Sequence, residues 1–391
     1  MRTSEAKREP LIHISARSKY SLSWGYALLW RIGAIVASIL VCMLLTWIIT
    51  GTDPIAFSLT MIHASFPDNP DLFAGRFWPM IHDLSILLMI SLAVTPAFRM
   101  RFWNIGAEGQ TLVGCLAAGA CMKLLTGLIP SWLMIPVELL AAVTAGAVWG
   151  LLPAVFKACF GTNETLFTLM MNSIATQLMA RFCVMWASPK GSGNVGILNQ
   201  SGEMRGVGWF PQRIDIFGLT IESDYMFNIA IAAVLTVLMF FYMYKSKHGF
   251  EISVVGESKR TASYLGMNVG WITMRTMLLS GGICGLTGLM LTAGYHHTIN
   301  TSLAGGNGFT AVMVSWLAKF NPFVMILASF LIVFLQKGSK DIASTLRLNA
   351  SFSEILTGVI LFFIIGCEFF IRYRVHFRHR ASTQREVTDR V

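Results

Sequence analysis

Residues 27–49 read ALLWRIGAIVASILVCMLLTWII, an apolar run in which Arg31 carries the only charge. A helix of about 20 apolar residues spans the hydrocarbon core of a bilayer, whereas the apolar core of a signal peptide has only about 7–15 residues. The run therefore predicts a membrane helix that is retained in the protein. Trp24 and Trp30 at one edge and Trp47 near the other are typical of aromatic anchors at the two membrane surfaces.

The composition of the whole chain agrees with this run. Of 391 residues, 54% are hydrophobic and 13% are charged, about half the roughly 25% charged residues of a soluble protein. This composition excludes an ordinary soluble enzyme. The net charge of +10 would suit a nucleic-acid partner, but most cationic residues lie between or beside apolar runs, where they orient a membrane protein. We therefore expect a lipid bilayer around the chain and no nucleic acid.

Apolar runs and the residues that interrupt them predict an all-α membrane protein, a polytopic bundle of about ten transmembrane segments. The predicted segments are residues 27–49, 79–98, 105–126, 131–156, 165–186, 226–244, 271–295, 309–319, 322–336 and 352–371. Segments 309–319 and 322–336 are short and are separated by Asn321 and Pro322, which predicts half-helices or a re-entrant hairpin. The topology of residues 309–351 stays open.

The distribution of lysine and arginine predicts the orientation of the bundle. With the N-terminus inside, 19 of the 30 cationic residues fall on the cytoplasmic side, seven fall outside, among them Arg205 and Arg347, and four lie within segments. The positive-inside rule therefore places both termini in the cytoplasm. The predicted organisation is a basic cytoplasmic segment at 1–26, a transmembrane domain at 27–371 and a basic cytoplasmic tail at 372–391. Within the transmembrane domain, the long external loop is about 187–225 and the long cytoplasmic loop is about 245–270.

The motifs of several enzyme classes are missing from the sequence. It has no GxxxxGK[ST] phosphate-binding loop, so the chain should not hydrolyse ATP by itself, and it has no HExxH or GxSxG motif. The seven cysteines lie in or beside apolar runs, with no CxxC pair and no histidines at metal-ligand spacing. We therefore predict no catalytic residue, no metal site and no cofactor bound by this chain.

Glycines at helical spacing predict close contacts between helices. Gly146 and Gly150 are four residues apart, as are Gly281 and Gly285, and Gly288 extends the second stripe by one turn. This small-xxx-small spacing lets two membrane helices bring their backbones together. We expect these glycines to serve packing.

The most informative polar stretch is NIGAEGQ at residues 104–110, where the third predicted segment begins. A carboxylate and two amides are costly when they face lipid, so Asn104, Glu108 and Gln110 must face protein, water or a solute. The two glycines of the stretch permit a broken or closely packed backbone. Two interpretations stay open: Glu108 ties neighbouring helix ends together by hydrogen bonds, or it contacts a solute directly.

A polar stripe runs along the fifth predicted segment. Thr165, Thr168, Asn172 and Thr176 recur at steps of three, four and four residues, which places them on one face of an otherwise apolar helix. Such a face predicts either the lining of a pathway or hydrogen bonds to a neighbouring helix.

Four stretches of the sequence resemble, in order, the motifs of one transporter family. NIGAEGQ at 104–110 resembles the signature of the permease subunits of bacterial ABC importers for nucleosides, which are related to ribose and branched-chain amino-acid permeases. TGTDP at 50–54, GTNET with TLMMN at 161–172, and VGESKRTASYLGM at 255–267 are similar to further motifs of that family. The resemblance is closest to the nucleoside branch.

The resemblance implies the permease subunit of an ATP-driven importer in the cell inner membrane, with nucleosides as substrates. In such a permease, the polar stretch and the polar stripe supply six candidates for the substrate pathway: Asn104, Glu108, Gln110, Thr168, Asn172 and Thr176. The resemblance implies three partners, namely an ABC ATPase subunit that uses the ATP, a second paralogous permease subunit and an extracytoplasmic solute-binding protein. The chain itself would then be a transport subunit and not an enzyme.

Other functions stay open alongside this one. Simple sugars such as ribose, or branched-chain amino acids, are alternative substrates of a permease of this kind. A stand-alone secondary transporter is a further alternative, but it would need an ion-coupling carboxylate at the membrane midplane, for which Glu108 and Glu138 are the candidates. Whether the permease forms a homodimer or a heterodimer stays open, as does the identity of the helices that line the pathway.

The last of the four stretches also predicts a short helix on the cytoplasmic surface, from Gly256 to Gly266. Gly256 breaks the chain, Glu257 suits the positive N-terminal end of a helix, and Gly266 suits its C-terminal stop. Arg260 and Tyr264 offer a charge and a ring to a partner. The resemblance implies that these five residues couple the chain to the ATPase, and the alternative is an amphipathic helix that lies on lipid.

Overall fold

Helices make up most of the chain in the computed structural model, which describes residues 12–16, 24–193, 195–200, 202–211, 213–216, 219–222 and 225–377. The helices of this part are α1 (Trp24–Thr50), α2 (Pro54–His63), α3 (Pro70–Arg99), α4 (Ala107–Leu125), α5 (Ser131–Phe160), α6 (Glu164–Trp186), α7 (Met226–Lys245), α8 (Lys247–Glu257), α9 (Lys259–Tyr264), α10 (Val269–Leu291), α11 (Asn307–Leu317), α12 (Pro322–Thr345) and α13 (Ala350–Arg372). A π-helical turn, Thr292–His296, continues α10. Short antiparallel strands also pair, β1 (Ile12–Ala16) with β4 (Tyr373–Phe377) and β2 (Arg213–Ile216) with β3 (Leu219–Glu222). Most of the predicted basic segment 1–26 and tail 372–391 lies outside the described residues.

Seven helices of the described chain are long and apolar enough to cross a membrane, namely α1, α3, α5, α7, α10, α12 and α13. The prediction of a helical membrane protein is therefore confirmed, but the count of about ten spans is not. All ten predicted segments coincide with helices, yet α4, α6 and α11 do not qualify as spans by length and apolar character. α11 has 11 residues, which corresponds to about 16 Å, roughly half of a 30 Å hydrocarbon core.

The prediction for residues 322–336 is wrong in length. α12 begins at Pro322 and continues to Thr345, so it is long enough to cross a membrane and is not a half-helix. The polar residues after position 336 do not end the helix because they find partners or burial within the protein. Lys337 Nζ donates to the carbonyl oxygen of Arg76 at 2.7 Å, and Ser339 is buried.

The chain divides into two compact units. The terminal unit comprises the described residues of Met1–His63 and Gly338–Val391, and the central unit is Ala64–Lys337. In the terminal unit α1 lies against α13, and Arg31 Nε donates to Glu368 Oε1 at 3.0 Å. The charge that interrupts the first apolar run is therefore paired with a carboxylate from the other end of the chain.

In the central unit α10 packs against α3, α4 and α5, and glycines make these contacts close. A Cβ atom on Gly146 would lie 2.4 Å from the carbonyl oxygen of Gly281, and one on Gly285 would lie 2.1 Å from that of Ala142. One turn further along the same stripe, a Cβ atom on Gly288 would lie 2.4 Å from a backbone oxygen of α4. The predicted small-xxx-small contacts are confirmed, and α10 touches its neighbours backbone to backbone.

Candidate functional site

The stretch 104–110 joins α3 to α4 and lies inside the central unit. Asn104 is fully buried, and its Oδ1 accepts from the backbone N–H of Gly106 at 3.1 Å and from Gln110 Nε2 at 3.2 Å. Asn104 Nδ2 donates to Ser280 Oγ at 3.1 Å. Ser280 is the twelfth of the 23 residues of α10, so the polar stretch enters the bundle beside the midpoint of a full-length helix. The two amide side chains fix the start of α4 at this level.

Glu108 joins the N-terminal ends of two helices. It is the second residue of α4, and its carboxylate accepts from the backbone N–H of Gly306 at Oε1 and of Gly308 at Oε2, both at 2.8 Å. Because the first backbone N–H groups of a helix have no partner within it, Glu108 supplies the cap for α11. A Cβ atom on Gly308 would lie 2.3 Å from the backbone nitrogen of Glu108, so the approach requires glycine. Glu108 therefore ties neighbouring helix ends together, as one interpretation of the sequence predicts.

The polar stripe of α6 reaches the same place. Asn172 Oδ1 accepts from the backbone N–H of Gly109 at 2.9 Å, and its Nδ2 donates to the carbonyl oxygen of Ile105 at 2.8 Å. The Oγ1 atom of Thr168 accepts from the backbone N–H of Ile105 at 3.3 Å. Thr176 lies one turn beyond, is half-buried, and donates to the carbonyl oxygen of Asn172 at 3.0 Å. Five of the six predicted pathway residues thus form one network at the start of α4, and Thr176 lies next to it.

We call this network, together with the first turns of α4 and α11, the junction. Helix N-termini present unpaired N–H groups and partial positive charge, and transporters often place such discontinuous helices at the solute. The side chains of the junction are neutral and polar apart from Glu108, whose oxygens accept two backbone bonds. Among the residues that the structure describes, no three histidine, cysteine or acidic side chains are grouped as metal ligands. The junction is chemically suited to an uncharged solute that forms hydrogen bonds.

The predicted cytoplasmic helix has different boundaries in the structure. Gly256 does not break the chain but lies inside α8, because a residue without a side chain lets α8 approach the end of α3. A Cβ atom on Gly256 would lie 2.1 Å from the carbonyl oxygen of Arg99. Glu257 consequently ends a helix and does not begin one. The following helix, α9, begins after Ser258, whose Oγ accepts from the backbone N–H of Thr261 at 3.2 Å.

The exposed side of α9 agrees with the prediction. Gly266 has a φ of +75°, the left-handed conformation expected where a helix stops. Arg260 and Leu265 are exposed, and Tyr264 is 90% exposed. Ala262 is buried and fixes the inner side of the helix. Together, α8 and α9 present a charge and a ring on a compact surface.

An ion pair holds α8 against α10. Arg275 Nη2 donates to Glu251 Oε2 at 2.9 Å, and His248 lies 3.6 Å from the same oxygen. Burial by itself would raise the pKa of Glu251, but the hydrogen bond and charge of Arg275, with a contribution from His248, lower this pKa below its ordinary value. The carboxylate therefore stays ionised at neutral pH and fixes the position of α8.

Sequence reasoning missed the partners of the predicted site residues. Gly306 and Gly308 belong to GGNG at 305–308, a run that signals the irregular start of a half-helix. Ser280 has no comparable signal, because it is one of several hydroxyl residues on an apolar helix. Glu138, a candidate for ion coupling, is the eighth residue of α5. Gly208 of the predicted external loop lies so close to Glu138 that a Cβ atom on Gly208 would collide with Glu138 Oε1.

Comparison with known proteins gives one family and several relatives. The family described as Branched-chain amino acid transport system / permease component matches residues 80–365, which include the junction, α8 and α9. A guanosine ABC transporter permease protein of Bacillus subtilis is 30% identical over 285 residues, 73% of this chain and 79% of the relative. A glucose ABC transporter permease protein of Haloferax volcanii is 28% identical over 293 residues, 74% and 76% of the two chains. A nucleoside ABC transporter permease protein of Lactococcus lactis is 25% identical over 293 residues, 73% and 77% of the two chains.

Proposed function

Since this chain belongs to the family of permease components of branched-chain amino acid transport systems, we propose that it is the permease subunit of an ATP-driven ABC importer for nucleosides. The guanosine and nucleoside permeases among its relatives support nucleosides as the substrate class. A simple sugar is the second candidate, because a glucose permease is also similar to the chain.

The observation that carries the proposal is the junction, where the N-terminal ends of α4 and α11 meet beside the middle of α10. A nucleoside has ribose hydroxyls and a base with donors and acceptors, but no net charge. Its pathway therefore needs neutral polar groups next to apolar surface instead of fixed charges. Asn104, Gln110, Thr168 and Asn172 are neutral polar groups of this kind, and all four are buried.

We assign the six pathway residues two kinds of contribution. The amides of Asn104, Gln110 and Asn172 and the hydroxyl group of Thr168 are bonded within the protein and hold the start of α4 in place. Glu108 and Thr176 are half-buried, so they lie at the edge of the pathway in this proposal, and the carboxylate of Glu108 is already bonded to the backbone N–H groups of Gly306 and Gly308. The first group shapes the pathway and the second group borders it.

The proposal includes partners, because the sequence has no phosphate-binding loop with which to use ATP. An ABC ATPase subunit would dock on the exposed surface of α8 and α9, around Glu257, Arg260 and Tyr264. A second paralogous permease would complete the membrane-spanning part, and an extracytoplasmic solute-binding protein would deliver the nucleoside. The chain would lie in the cell inner membrane with both termini in the cytoplasm.

Uptake of radiolabelled guanosine by cells that express the whole importer tests the proposal. Unlabelled nucleosides should block uptake, whereas glucose, ribose and leucine in large excess should not. A strain that lacks only this chain serves as the control and should take up guanosine at the background rate. Full competition by glucose without competition by nucleosides would assign the permease to sugars. Equal uptake with and without the chain would refute the transport function.

A further inference from the structure

A second concave site lies in the central unit, apart from the junction. It is a cavity of about 520 Å³, within the size range of roughly 300–1,000 Å³ of pockets that enclose small ligands or side chains. Its walls come from the end of α3, the residues that lead into the junction, the end of α8 and the end of α11. We call it the Arg101 pocket, after the residue at its rim.

Aromatic rings form one wall of the Arg101 pocket. The rings of Trp103 and Trp316 stack with centroids 5.6 Å apart and an interplanar angle of 25°. Phe98 meets both rings edge-on, at 5.9 Å and 6.3 Å. Trp103 is still 44% exposed, so this wall offers an apolar face that nothing in the described chain covers completely. Such a face suits an aromatic or aliphatic side chain.

Cations outnumber carboxylates at the pocket, where Arg99 and Arg101 line the wall together with Glu257. Arg101 is exposed, and no side chain of the described ranges pairs with its guanidinium group. Its φ of +61° is left-handed, a conformation that glycine or asparagine adopts with less strain than arginine. Lys319, also exposed with a φ of +50°, comes directly before Phe320 of the pocket wall. Packing does not explain the left-handed backbone of Arg101, and an exposed guanidinium group at this position can pair with an anion.

The pocket is continuous with the surface that is proposed to hold the ATPase. Gly256 and Glu257, which end α8, line it directly. The exposed Arg260 and Tyr264 follow on α9. Any protein that covers α8 and α9 would therefore also meet the opening of the pocket.

We infer that the Arg101 pocket is a second docking point for the ATPase subunit, filled by an acidic segment that carries an aromatic or aliphatic side chain. A carboxylate of this segment pairs with the fork of Arg101 and lies near Lys319, while the apolar side chain rests on Trp103. This inference rests on the proposed function and adds the chemistry of the partner's contact segment.

Two substitutions at one position test the inference. Asparagine and aspartate both tolerate a left-handed backbone, so Arg101→Asn and Arg101→Asp differ in charge with little difference in strain. The affinity-tagged chain is purified from its own membranes, and mass spectrometry measures the ratio of ABC ATPase to permease. We expect this ratio to fall about fivefold with Arg101→Asn and by roughly tenfold or more with Arg101→Asp. Raising the salt concentration should lower the ratio for the unchanged protein more than for Arg101→Asn.

Arg347 provides the matched control. It is an exposed arginine with a φ of +53°, and the positive-inside rule predicts that it lies on the external side. Arg347→Asn and Arg347→Asp should leave the ATPase ratio unchanged. Each variant must elute as a single peak in size-exclusion chromatography, so that misfolding is not scored as lost docking.

The outcomes separate this inference from the proposed function. An unchanged ATPase ratio in folded Arg101→Asp would overturn the docking role of the pocket. If Tyr264→Ala lowers the ratio while both Arg101 variants keep it, the pocket is not a contact and the importer proposal stands. If the unchanged chain recovers no ABC ATPase, both the docking point and the proposed importer are wrong.

Discussion

Glu108→Leu should be among the most destabilising substitutions in the central unit. The carboxylate accepts the backbone N–H groups of Gly306 and Gly308, each at 2.8 Å. Leucine would leave both donors without a partner at the start of α11, where Gly308 is buried and Gly306 is half-buried, and each such loss costs about 1–3 kcal/mol. The expected total is therefore about 2–6 kcal/mol, a large part of the roughly 5–15 kcal/mol that stabilises a typical protein. The measurement is the thermal unfolding midpoint of the purified protein in detergent, together with the yield of folded protein.

Glu108→Gln should destabilise the protein less than Glu108→Leu does. Its side-chain oxygen can still accept one backbone bond, but its amide group is a donor and faces the second N–H donor. The expected loss is therefore about 1–3 kcal/mol, the cost of one missing bond. Glu354→Leu makes the same change at an exposed position of α13 and should leave the midpoint nearly unchanged. Equal midpoints for the unchanged protein and Glu108→Leu would refute the capping role.

Three further predictions concern other parts of the central unit. Gly285→Ala should sharply lower the folded yield, because its Cβ would lie 2.1 Å from a carbonyl oxygen, whereas Gly358→Ala, with open space at Cβ, should not. Thr176→Val should reduce guanosine uptake at normal abundance, whereas Asn172→Ala should also reduce abundance because it removes one bond to Gly109 of α4 and one to Ile105 just before α4; equal abundance would contradict this. The pKa of Glu251 is lowered, so its ionised form stabilises the protein above the ordinary pKa of 4.5, and this stabilisation is lost as pH falls through the lowered pKa. Glu251→Gln should therefore flatten the dependence of the unfolding midpoint on acidic pH.

The positions of the helices could be read from the sequence because apolar runs follow directly from the cost of exposing polar groups to lipid. What could not be read was which helices cross the membrane completely. The short apolar run at 309–319 predicts the half-helix α11. The predicted segment at 322–336 is shorter than α12 because the apolar run ends at Lys337. Its amine instead bonds to the carbonyl oxygen of Arg76, a partner more than 250 positions away in the chain.

The candidate site, too, could be predicted only in part from the sequence. Exposing the side chains of Glu108 and Asn172 to lipid would cost free energy, so the sequence predicts that both lie inside the protein, and they do. Their partners could not be predicted, because helix periodicity shows which face is polar but not which helix that face meets. Gly256 shows a different limit: a glycine that reads as a chain break is, in the structure, a site of close backbone approach to α3.

The glycine contacts of α10 determine which parts of the protein can move during transport. Where Gly146 and Gly285 press backbone against backbone, no flexible side chain lies between the helices to absorb a small displacement. α5 and α10 must therefore move as one rigid body, and α4, which contacts α10 at Gly288, moves with them. The start of α11 belongs to the same body, because Gly308 brings its backbone against that of Glu108, whose carboxylate also accepts from Gly306 and Gly308. The relative motion that opens and closes a passage therefore has to occur at other contacts, where side chains lie between the helices.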